Sequence, residues 1–287
     1  MTGPRHDIPA PLAQALRQSR RPVVFTGAGV SAESGIATFR DALTGLWSRF
    51  DAQALATPEA FRAHPDLVWG WYEWRREQAL RARPNTAHLA IARLAAHAPA
   101  LTVITQNVDD LHERAGSPKV LHLHGSLHAP RCADCRAPWS RAEPASADAA
   151  AAGTTAADIR TADAATASAA ASGAPSGEQD EGRRIEPPRC AACGGPVRPG
   201  VVWFGESLPA DAWRAAQLAA EQCDLLLSIG TSALVYPAAE LPQRALAAGA
   251  VVAQVNPAAT PMDARVKFNL RGQAADVLPR LLQSAGI

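Results

Sequence analysis

The chain has 287 residues, with 28 Lys or Arg against 27 Asp or Glu, so it can bury a substantial core but carries a net charge of only +1. A near-neutral charge offers no general electrostatic attraction for nucleic acid or for a membrane surface. No apolar run approaches the ~18 residues of a membrane span, and the N-terminus lacks the apolar core of a secretory signal. These properties predict a cytoplasmic protein whose partner is not a charged polymer.

A glycine-rich sequence follows the first predicted strand. A short amphipathic helix is predicted over residues 11–20, and the apolar strand at 22–26 leads into G-A-G-V-S-A at 27–32. This fits the G-x-G-x-x-G/A dinucleotide fingerprint, in which glycines allow a tight turn and a close approach of backbone to pyrophosphate. The acidic residue that a dehydrogenase places about 20 positions later is missing, because residues 36–45 read as a loop and Asp51 follows no strand. The sequence therefore disfavours hydride transfer.

Three helices are predicted next. The first begins with an N-cap and a proline at residues 57–59, the second runs over 65–81, and the third over 85–96. Tyr72 and Arg75 are three residues apart and are predicted to lie side by side on the surface of the second helix. An exposed amphipathic pair is the simplest interpretation.

Polar side chains follow a second apolar strand. Residues 101–104 have strand composition and lead directly to Gln106, Asn107 and Asp109, and the sequence L-H-L-H-G-S follows at 121–126. In open α/β sheets, ligands bind beyond the carboxyl ends of the strands, which makes these side chains candidates for a binding crevice. A loop of turn-forming Asn and Asp is the alternative.

Four cysteines form two C-x-x-C pairs, Cys132 with Cys135 and Cys190 with Cys193. Four thiolates are typical of a closed tetrahedral zinc site, which leaves no position for substrate water and so predicts a structural metal. Disulfides are not expected in a cytosolic protein, and a redox C-x-x-C needs only one pair in a thioredoxin-like setting. Cys223 precedes an apolar strand and is predicted to be a small buried side chain.

The remaining segments complete a sheet. Residues 140–188, between the cysteine pairs, contain almost no large apolar residue and predict a mobile insertion. Gly230, Thr231, Ser232 and Asn256 follow apolar strands. Further elements are predicted as a strand at 197–206, a helix at 211–221, strands at 224–229 and 251–255, and a last strand and helix at 266–270 and 276–282. At least five strands in this pattern predict a doubly wound parallel α/β sheet with helices on both faces.

Several of these motifs together resemble the sirtuin family of NAD-dependent protein-lysine deacylases. The motifs are residues 27–35 with Phe39 and Arg40, residues 105–109, residues 122–125, the two cysteine pairs, residues 230–232 and Asn256. They occur in the family's order and span nearly the whole chain apart from the insertion. Residues 56–58, Tyr72 with Arg75, and residues 201–206 resemble the class III, sirtuin-5-like branch, which prefers acidic acyl groups such as succinyl and malonyl.

The resemblance implies a Rossmann-like doubly wound parallel sheet with two smaller modules. Residues 1–43, 86–125 and 201–287 would form the NAD-binding domain. Residues 44–85 would form a helical module, and residues 126–200 a zinc-binding module that includes the insertion at 140–188. The implied cofactors are NAD, as a co-substrate, and a structural Zn²⁺ ion.

The resemblance also implies which residues bind NAD. The loop at 27–32 would hold the pyrophosphate through donors at a helix start. Side chains at 106–109 would surround the nicotinamide ribose and carboxamide, and Phe39 would cover the reacting sugar. The full implied set is Gly27, Ala28, Gly29, Ala32, Glu33, Phe39, Arg40, Gln106, Asn107, Asp109, Gly230, Thr231, Ser232, Asn256 and Ala274.

The implied reaction consumes NAD. The bond to nicotinamide breaks, the acyl oxygen of the modified lysine attacks the ribose carbon, and His124 takes a proton from a ribose hydroxyl as general base, with Asn107 as the second catalytic residue. A structural histidine is the competing role for His124.

An acyl group that ends in a carboxylate needs a partner for its charge. The Arg75 guanidinium and the Tyr72 hydroxyl would supply charge-assisted hydrogen bonds, and Ala56 would leave room for the acyl chain. The substrate peptide would add as a strand beside Val202, Trp203 and Phe204. Plain deacetylation, ADP-ribosyl transfer to protein and a non-enzymatic NAD-sensing or zinc-ribbon adaptor are the alternatives. The expected partners are acylated proteins or peptides, and the expected oligomeric state is a monomer.

Overall fold

The computed structural model describes residues 8–38, 50–141 and 183–287. Phe39 and Arg40, both predicted to bind NAD, lie outside the described residues, as does most of the predicted insertion at 140–188. The described strands are β1 (Pro22–Thr26), β2 (Thr102–Thr105), β3 (Val120–His122), β4 (Arg131–Cys132), β5 (Val197–Arg198), β6 (Leu225–Ile229), β7 (Val251–Val255) and β8 (Phe268–Leu270). The described α-helices are α1 (Ala10–Gln18), α2 (Gly29–Ala32), α3 (Ala52–Leu55), α4 (Pro58–Ala63), α5 (Pro65–Arg81), α6 (Thr86–His97), α7 (Leu111–Arg114), α8 (Ala210–Gln222), α9 (Leu241–Ala247) and α10 (Ala274–Ser284), with a 3₁₀ helix at Ala238–Glu240.

Six strands form one parallel sheet in the order β3-β2-β1-β6-β7-β8. The chain builds outward from β1 in one direction and then returns to β6 to build in the other. The order therefore reverses beside β1, which is where doubly wound sheets bind ligands. The predicted fold class is confirmed. β3 was not among the strands counted from the sequence, because it is a three-residue edge strand without an apolar run.

Each face of the sheet is covered by helices. In β1, Val24 packs into a cluster with α1, α6 and α10, whereas Val23 and Phe25 pack on the opposite face against a cluster that contains α8 and α9. This division follows from the alternation of side chains along a strand. Strands that are buried on both faces read as continuous apolar runs, which is why β1, β6 and β7 were predicted correctly.

The helical block at residues 52–81 has its own core. Thr57 caps α4, its Oγ1 accepting from Ala60 N at 3.1 Å, as the sequence predicts. In α5, Val68 and Trp71 are fully buried. Tyr72 is only 4% exposed, so the interpretation of Tyr72 and Arg75 as an exposed pair is wrong for the tyrosine. Its buried environment comes from segments far away in sequence, including Trp203.

The predicted strand at residues 197–206 is not continuous. Only β5 pairs, antiparallel to β4, and Val201 makes a single bridge to Gly125. The interruption lies at Pro199, which lacks an amide donor, and at Gly200, where a Cβ atom would lie 1.8 Å from the Ala129 carbonyl oxygen. Composition alone does not reveal this close approach.

Among the described helices, none combines the length and the apolar character that crossing a bilayer requires.

Candidate active site

The carboxyl ends of β2, β6 and β7 are joined by polar side chains. Gln106 follows β2, and its Nε2 donates to Thr231 Oγ1 at 2.8 Å, beyond the end of β6. Asn256 follows β7, and its Nδ2 donates to the Thr231 carbonyl oxygen at 2.8 Å. The predicted residues at these three strand ends therefore form one connected surface at the edge of the sheet.

The glycine-rich loop after β1 packs tightly on the end of β6. A Cβ atom at Gly27 would lie 2.9 Å from the Gly230 carbonyl oxygen, and one at Gly29 would lie 2.7 Å from the same atom. Gly230 itself has a φ of +59°. Glycine is therefore required at positions 27 and 29 because the loop packs closely against Gly230. This reason is separate from the approach of backbone to pyrophosphate.

Ser31 joins Asn107 and Asp109, which lie in the loop after β2 (the β2 loop). Its Oγ donates to Asp109 Oδ2 at 3.0 Å and accepts from Asn107 Nδ2 at 3.0 Å, and all three residues are buried. The sequence places Ser31 inside the dinucleotide fingerprint without indicating a role for its side chain. The hydroxyl in a loop otherwise made of Gly, Ala and Val was the available signal.

Asp109 sits in a site that resists ionisation. Burial raises the pKa of this carboxyl, and the hydrogen bonds from Leu111 N and Ser31 Oγ only partly offset the effect. The carboxyl oxygens, held by these two donors, remain acceptors for a further donor from a ligand.

His124 has a defined tautomer. Its Nδ1 lies 3.0 Å from the Gln106 carbonyl oxygen, which can only accept, so Nδ1 carries the hydrogen and Nε2 of the neutral ring carries a lone pair. Burial lowers the pKa of His124, and the hydrogen bond to Gln106 opposes this only in part. The ring is therefore neutral at pH 7, as a general base requires.

His122 has a different environment. Its Nδ1 donates to the Asn107 carbonyl oxygen at 3.1 Å and its Nε2 donates to Glu113 Oε1 at 2.6 Å. Burial lowers the pKa of His122, but the Glu113 hydrogen bond and charge outweigh it and the net shift is upward. With both nitrogens donating, His122 has no lone pair that could accept a proton, whereas His124 keeps one on Nε2.

The other predicted cofactor residues are distributed around the same loops. Ala28 and Ala32 lie at the two ends of the short helix α2. Glu33 Oε2 accepts from Ala275 N at 2.9 Å, which ties the glycine-rich loop to the start of α10, where Ala274 is buried. Ser232 directly follows Thr231 and is half-buried.

Residues 202–204 connect His124 to the helical block. Val202 N donates to the His124 carbonyl oxygen at 2.8 Å, and Phe204 N donates to the Ala56 carbonyl oxygen at 3.0 Å. Trp203, between them, is buried, whereas Phe204 is 45% exposed. This segment therefore runs past the candidate base and presents an aromatic ring to solvent.

Tyr72 and Arg75 lie on the side of α5 that approaches this segment. Trp203 Nε1 donates to the Tyr72 hydroxyl oxygen at 3.1 Å. Burial lowers the pKa of Arg75, and the nearby Tyr72 and Asp109 partly counteract this effect. Arg75 borders a small cavity together with Thr38 and Trp71.

The larger cavity of about 210 Å³ lies elsewhere, between α5 and the zinc-binding region. Tyr72 lines it, together with Trp69 and Pro199, but His124 does not. The candidate active site therefore lies at the carboxyl ends of the strands, where the hydrogen-bonded polar groups meet, and not in this larger cavity.

The four predicted metal ligands come together. The sulfur atoms of Cys132, Cys135, Cys190 and Cys193 all lie within 4.8 Å of one another. The Cys132–Cys193 and Cys135–Cys190 distances are 3.4 and 3.7 Å, far longer than a disulfide bond. Four thiolates about 2.3 Å from one ion would be separated by about 3.8 Å, so the cluster fits tetrahedral Zn²⁺. The predicted structural zinc site is confirmed as a ligand set.

Comparison with known proteins identifies the family. The Sir2 family model matches residues 27–237. This range includes the glycine-rich loop, the β2 loop, His124, the four clustered cysteines and the end of β6. The chain belongs to the Sir2 family.

Sir2 relatives are similar along nearly the whole chain. An NAD-dependent protein deacylase from Methylococcus capsulatus is 57% identical over 273 residues, covering 95% of each chain. NAD-dependent protein deacylase 1 from Pseudomonas aeruginosa is 54% identical over 274 residues, covering 96% of this chain and 98% of the relative. The sirtuin resemblance and the predicted enzyme class, an NAD-dependent protein deacylase, are thereby confirmed.

Solved Sir2 structures share the fold. A Sir2 homologue in complex with NAD has a TM-score of 0.79 and 39% identity, and the alignment covers 98% of this chain and 94% of the homologue. A Sir2–p53 peptide–NAD⁺ complex has a TM-score of 0.72 and 29% identity, with 95% of this chain and 96% of the other covered.

Two buried histidines of this Sir2 protein predict a pH-dependent stability. Burial lowers the pKa of His88 to about 4, and burial together with the neighbouring His88 lowers the pKa of His112 to about 3. Both values lie below the unfolded-state pKa of about 6.5, so the unfolded chain binds more protons. The stabilisation is present above pH 6.5 and is lost as pH falls; each ring should contribute a loss of about 2 kcal/mol between pH 6.5 and 5.

We expect His88→Gln to flatten this dependence, because glutamine does not titrate and suits the third position of a helix whose N-cap is Asn85. The measurement is the free energy of unfolding in urea at pH 7 and pH 5. His97→Gln, at the exposed end of α6, is the matched control. A wild-type slope retained in His88→Gln would contradict the assignment.

Proposed function

We propose that the chain removes acyl groups from protein lysines with consumption of NAD, and that it prefers acidic acyl groups such as succinyl and malonyl. The products are nicotinamide, O-acyl-ADP-ribose and free lysine. The observation that carries the deacylase assignment is the neutral His124 ring, whose Nδ1 is held by the Gln106 carbonyl oxygen and whose Nε2 keeps its lone pair. The acyl preference is supported by Tyr72 and Arg75.

The residues at the strand ends suit NAD. The glycine-rich loop would place a pyrophosphate at the start of α2, where the helix dipole favours negative charge. Asn107 and Asp109 are buried, linked through Ser31, and positioned to accept from and donate to a carboxamide and ribose hydroxyls. Bound NAD supplies the ribose carbon whose bond to nicotinamide breaks. Asn256 and residues 230–232 would hold the adenosine half.

His124 acts as the proton acceptor. Its Nε2 takes a proton from a ribose hydroxyl, while the Nδ1 hydrogen bond to the Gln106 carbonyl oxygen keeps the ring in the required tautomer. That same hydrogen bond stabilises the imidazolium that forms. Asn107, two residues before Asp109, fixes the sugar and with it the hydroxyl that loses the proton.

The acyl carboxylate would be bound by Arg75 and Tyr72. Arginine remains charged even though burial lowers the pKa of Arg75. Burial raises the pKa of Tyr72 to about 12, so the phenol keeps its hydrogen at neutral pH and can donate it. Each charge-assisted hydrogen bond contributes about 1.5 to 3 kcal/mol. Ala56, which is small, leaves space beside Trp203.

The peptide around the modified lysine would pair as an added strand with residues 202–204. Support comes from apolar side chains that remain exposed near the site: Phe204 at 45%, Leu234 at 54% and Tyr236 at 62%. Recognition through main chain predicts affinity with little dependence on peptide sequence.

Arg75→Met tests the acyl preference. We expect the ratio of kcat/KM for succinyl-lysine peptide to that for acetyl-lysine peptide to fall about 10- to 100-fold, because the variant lacks the charged partner of the carboxylate. Nicotinamide release with acetyl, malonyl, succinyl and glutaryl peptides provides the measurement. Arg81→Met, the same substitution at the exposed end of α5, is the control and should leave the ratio unchanged. An equal ratio in wild type and Arg75→Met would contradict the proposal that Arg75 and Tyr72 bind the acyl carboxylate.

A further inference from the structure

The indole of Trp203 is fixed by an ion pair. The Arg198 guanidinium lies over the ring, 3.4 Å from its centroid, and donates to Glu206 at 2.5 and 2.9 Å. Glu206 Oε2 also accepts from Trp203 N at 2.8 Å. Arg198 and Trp203 are 8% and 3% exposed, so these contacts are largely shielded from water and constrain the ring more than surface contacts would.

The indole determines what the Tyr72 hydroxyl can do. Trp203 Nε1–H can only donate, so at 3.1 Å it makes the Tyr72 oxygen an acceptor. The single hydrogen of the phenol is then directed to a different acceptor. If the indole were absent, the hydroxyl would lose the donor that fixes its orientation and could rotate about its C–O bond.

We propose that Arg198, Trp203 and Glu206 form a positioning unit that aims the Tyr72 hydroxyl hydrogen at the carboxylate of the acyl group, and that this unit sets acyl specificity. The inference rests on the proposed preference for acidic acyl groups and extends it from Tyr72 and Arg75 to residues of the zinc-binding region and the loop that follows it. Trp203 acts through Tyr72 and is a positioning residue. The same unit accounts for the irregular loop at 202–206. Glu206 N donates to the Trp203 carbonyl oxygen at 3.0 Å, and this turn of the chain brings Glu206 to Arg198.

A double-mutant cycle tests the unit. We expect Trp203→Phe, which keeps an aromatic ring for Arg198 but lacks the N–H, to lower the succinyl-to-acetyl ratio of kcat/KM about fivefold, mainly through KM for the succinyl peptide. In a Tyr72→Phe background the same substitution should lower the ratio no further, because the hydroxyl that the indole orients is gone. Trp213→Phe, in α8 and outside the cluster that contains Trp203 and Tyr72, is the control and should leave the ratio unchanged.

The outcomes are distinct. The positioning role would be overturned if the effects of Trp203→Phe and Tyr72→Phe on the ratio were fully additive, or if Trp203→Phe lowered kcat/KM equally for both acyl peptides. Either result would leave the binding of the acyl carboxylate by Arg75 and Tyr72 intact. A wild-type enzyme without succinyl preference would overturn the proposed function, and the inference with it. If Trp203→Phe does not fold, Arg198→Lys provides a second test, because lysine keeps the charge but cannot stack as a planar group on the indole. We expect the same fall in the succinyl-to-acetyl ratio. An unchanged ratio would contradict the proposal.

Discussion

Replacing His124 with alanine is expected to reduce the rate of lysine deacylation by about 10²- to 10⁴-fold, the range typical of a lost general base. The reason is local. Among the histidines at the carboxyl end of β3, His124 has Nδ1 on a carbonyl oxygen and an unprotonated Nε2, whereas His122 is held by Glu113 with both nitrogens donating. The measurement is the formation of free lysine peptide and O-acyl-ADP-ribose.

His122→Ala is the matched control, since it removes the same ring two residues away. Its effect on the rate should be much smaller. Wild-type kcat/KM should also fall on the acid side with a midpoint below 6.5, because burial lowers the pKa of His124 and the neutral base persists as the pH decreases. Similar losses in the two alanine variants, or an acid limb above 6.5, would argue against His124 as the base.

The parts of the fold that the sequence predicts are those with local causes. The apolar runs of β1, β6 and β7 are buried on both faces, and the N-caps of α4 and α6 are visible as Thr57 and Asn85. The strand-end residues could be predicted as a group because parallel strands place their carboxyl ends along one edge. None of these inferences needs contacts between distant segments.

The parts that could not be predicted depend on such contacts. Ser31 and Asp109 are 78 positions apart, and Tyr72 and Trp203 are 131 apart. Both pairs meet only when β1, β2 and the zinc-binding region have assembled. His122 and His124 are both visible in the sequence, but which ring is neutral depends on Glu113 and on the Gln106 carbonyl oxygen. Whether Tyr72 is exposed likewise depends on Trp203 and not on α5 itself.

The active site and the zinc site are coupled through the chain that joins them. β5 pairs with β4, which carries Cys132, and the residues that follow β5 reach His124 through Val202 and Tyr72 through Trp203. Ordering of the cysteine loops would therefore place Trp203 and the chain beside His124, although four thiolates would leave a zinc ion no open coordination position.

Removing zinc is expected to unfold this region and abolish activity. Structural Zn²⁺ sites contribute on the order of 10 kcal/mol in small zinc domains, more than the whole stability of many proteins. We expect Cys190→Ser to lose the metal, to lower the melting temperature and to inactivate the enzyme, with metal content measured by atomic emission alongside nicotinamide release.

Cys223→Ser separates metal loss from thiol loss, because Cys223 is buried beside Ala220 and is not one of the four clustered cysteines. It should retain one zinc per chain and most of the activity. If Cys190→Ser were to lose its metal but keep its succinyl-to-acetyl ratio, the cysteine loops would not hold Trp203 in place. The coupling would then have to run through Arg198 and Glu206 alone, whose contacts with Trp203 do not involve the cysteine side chains.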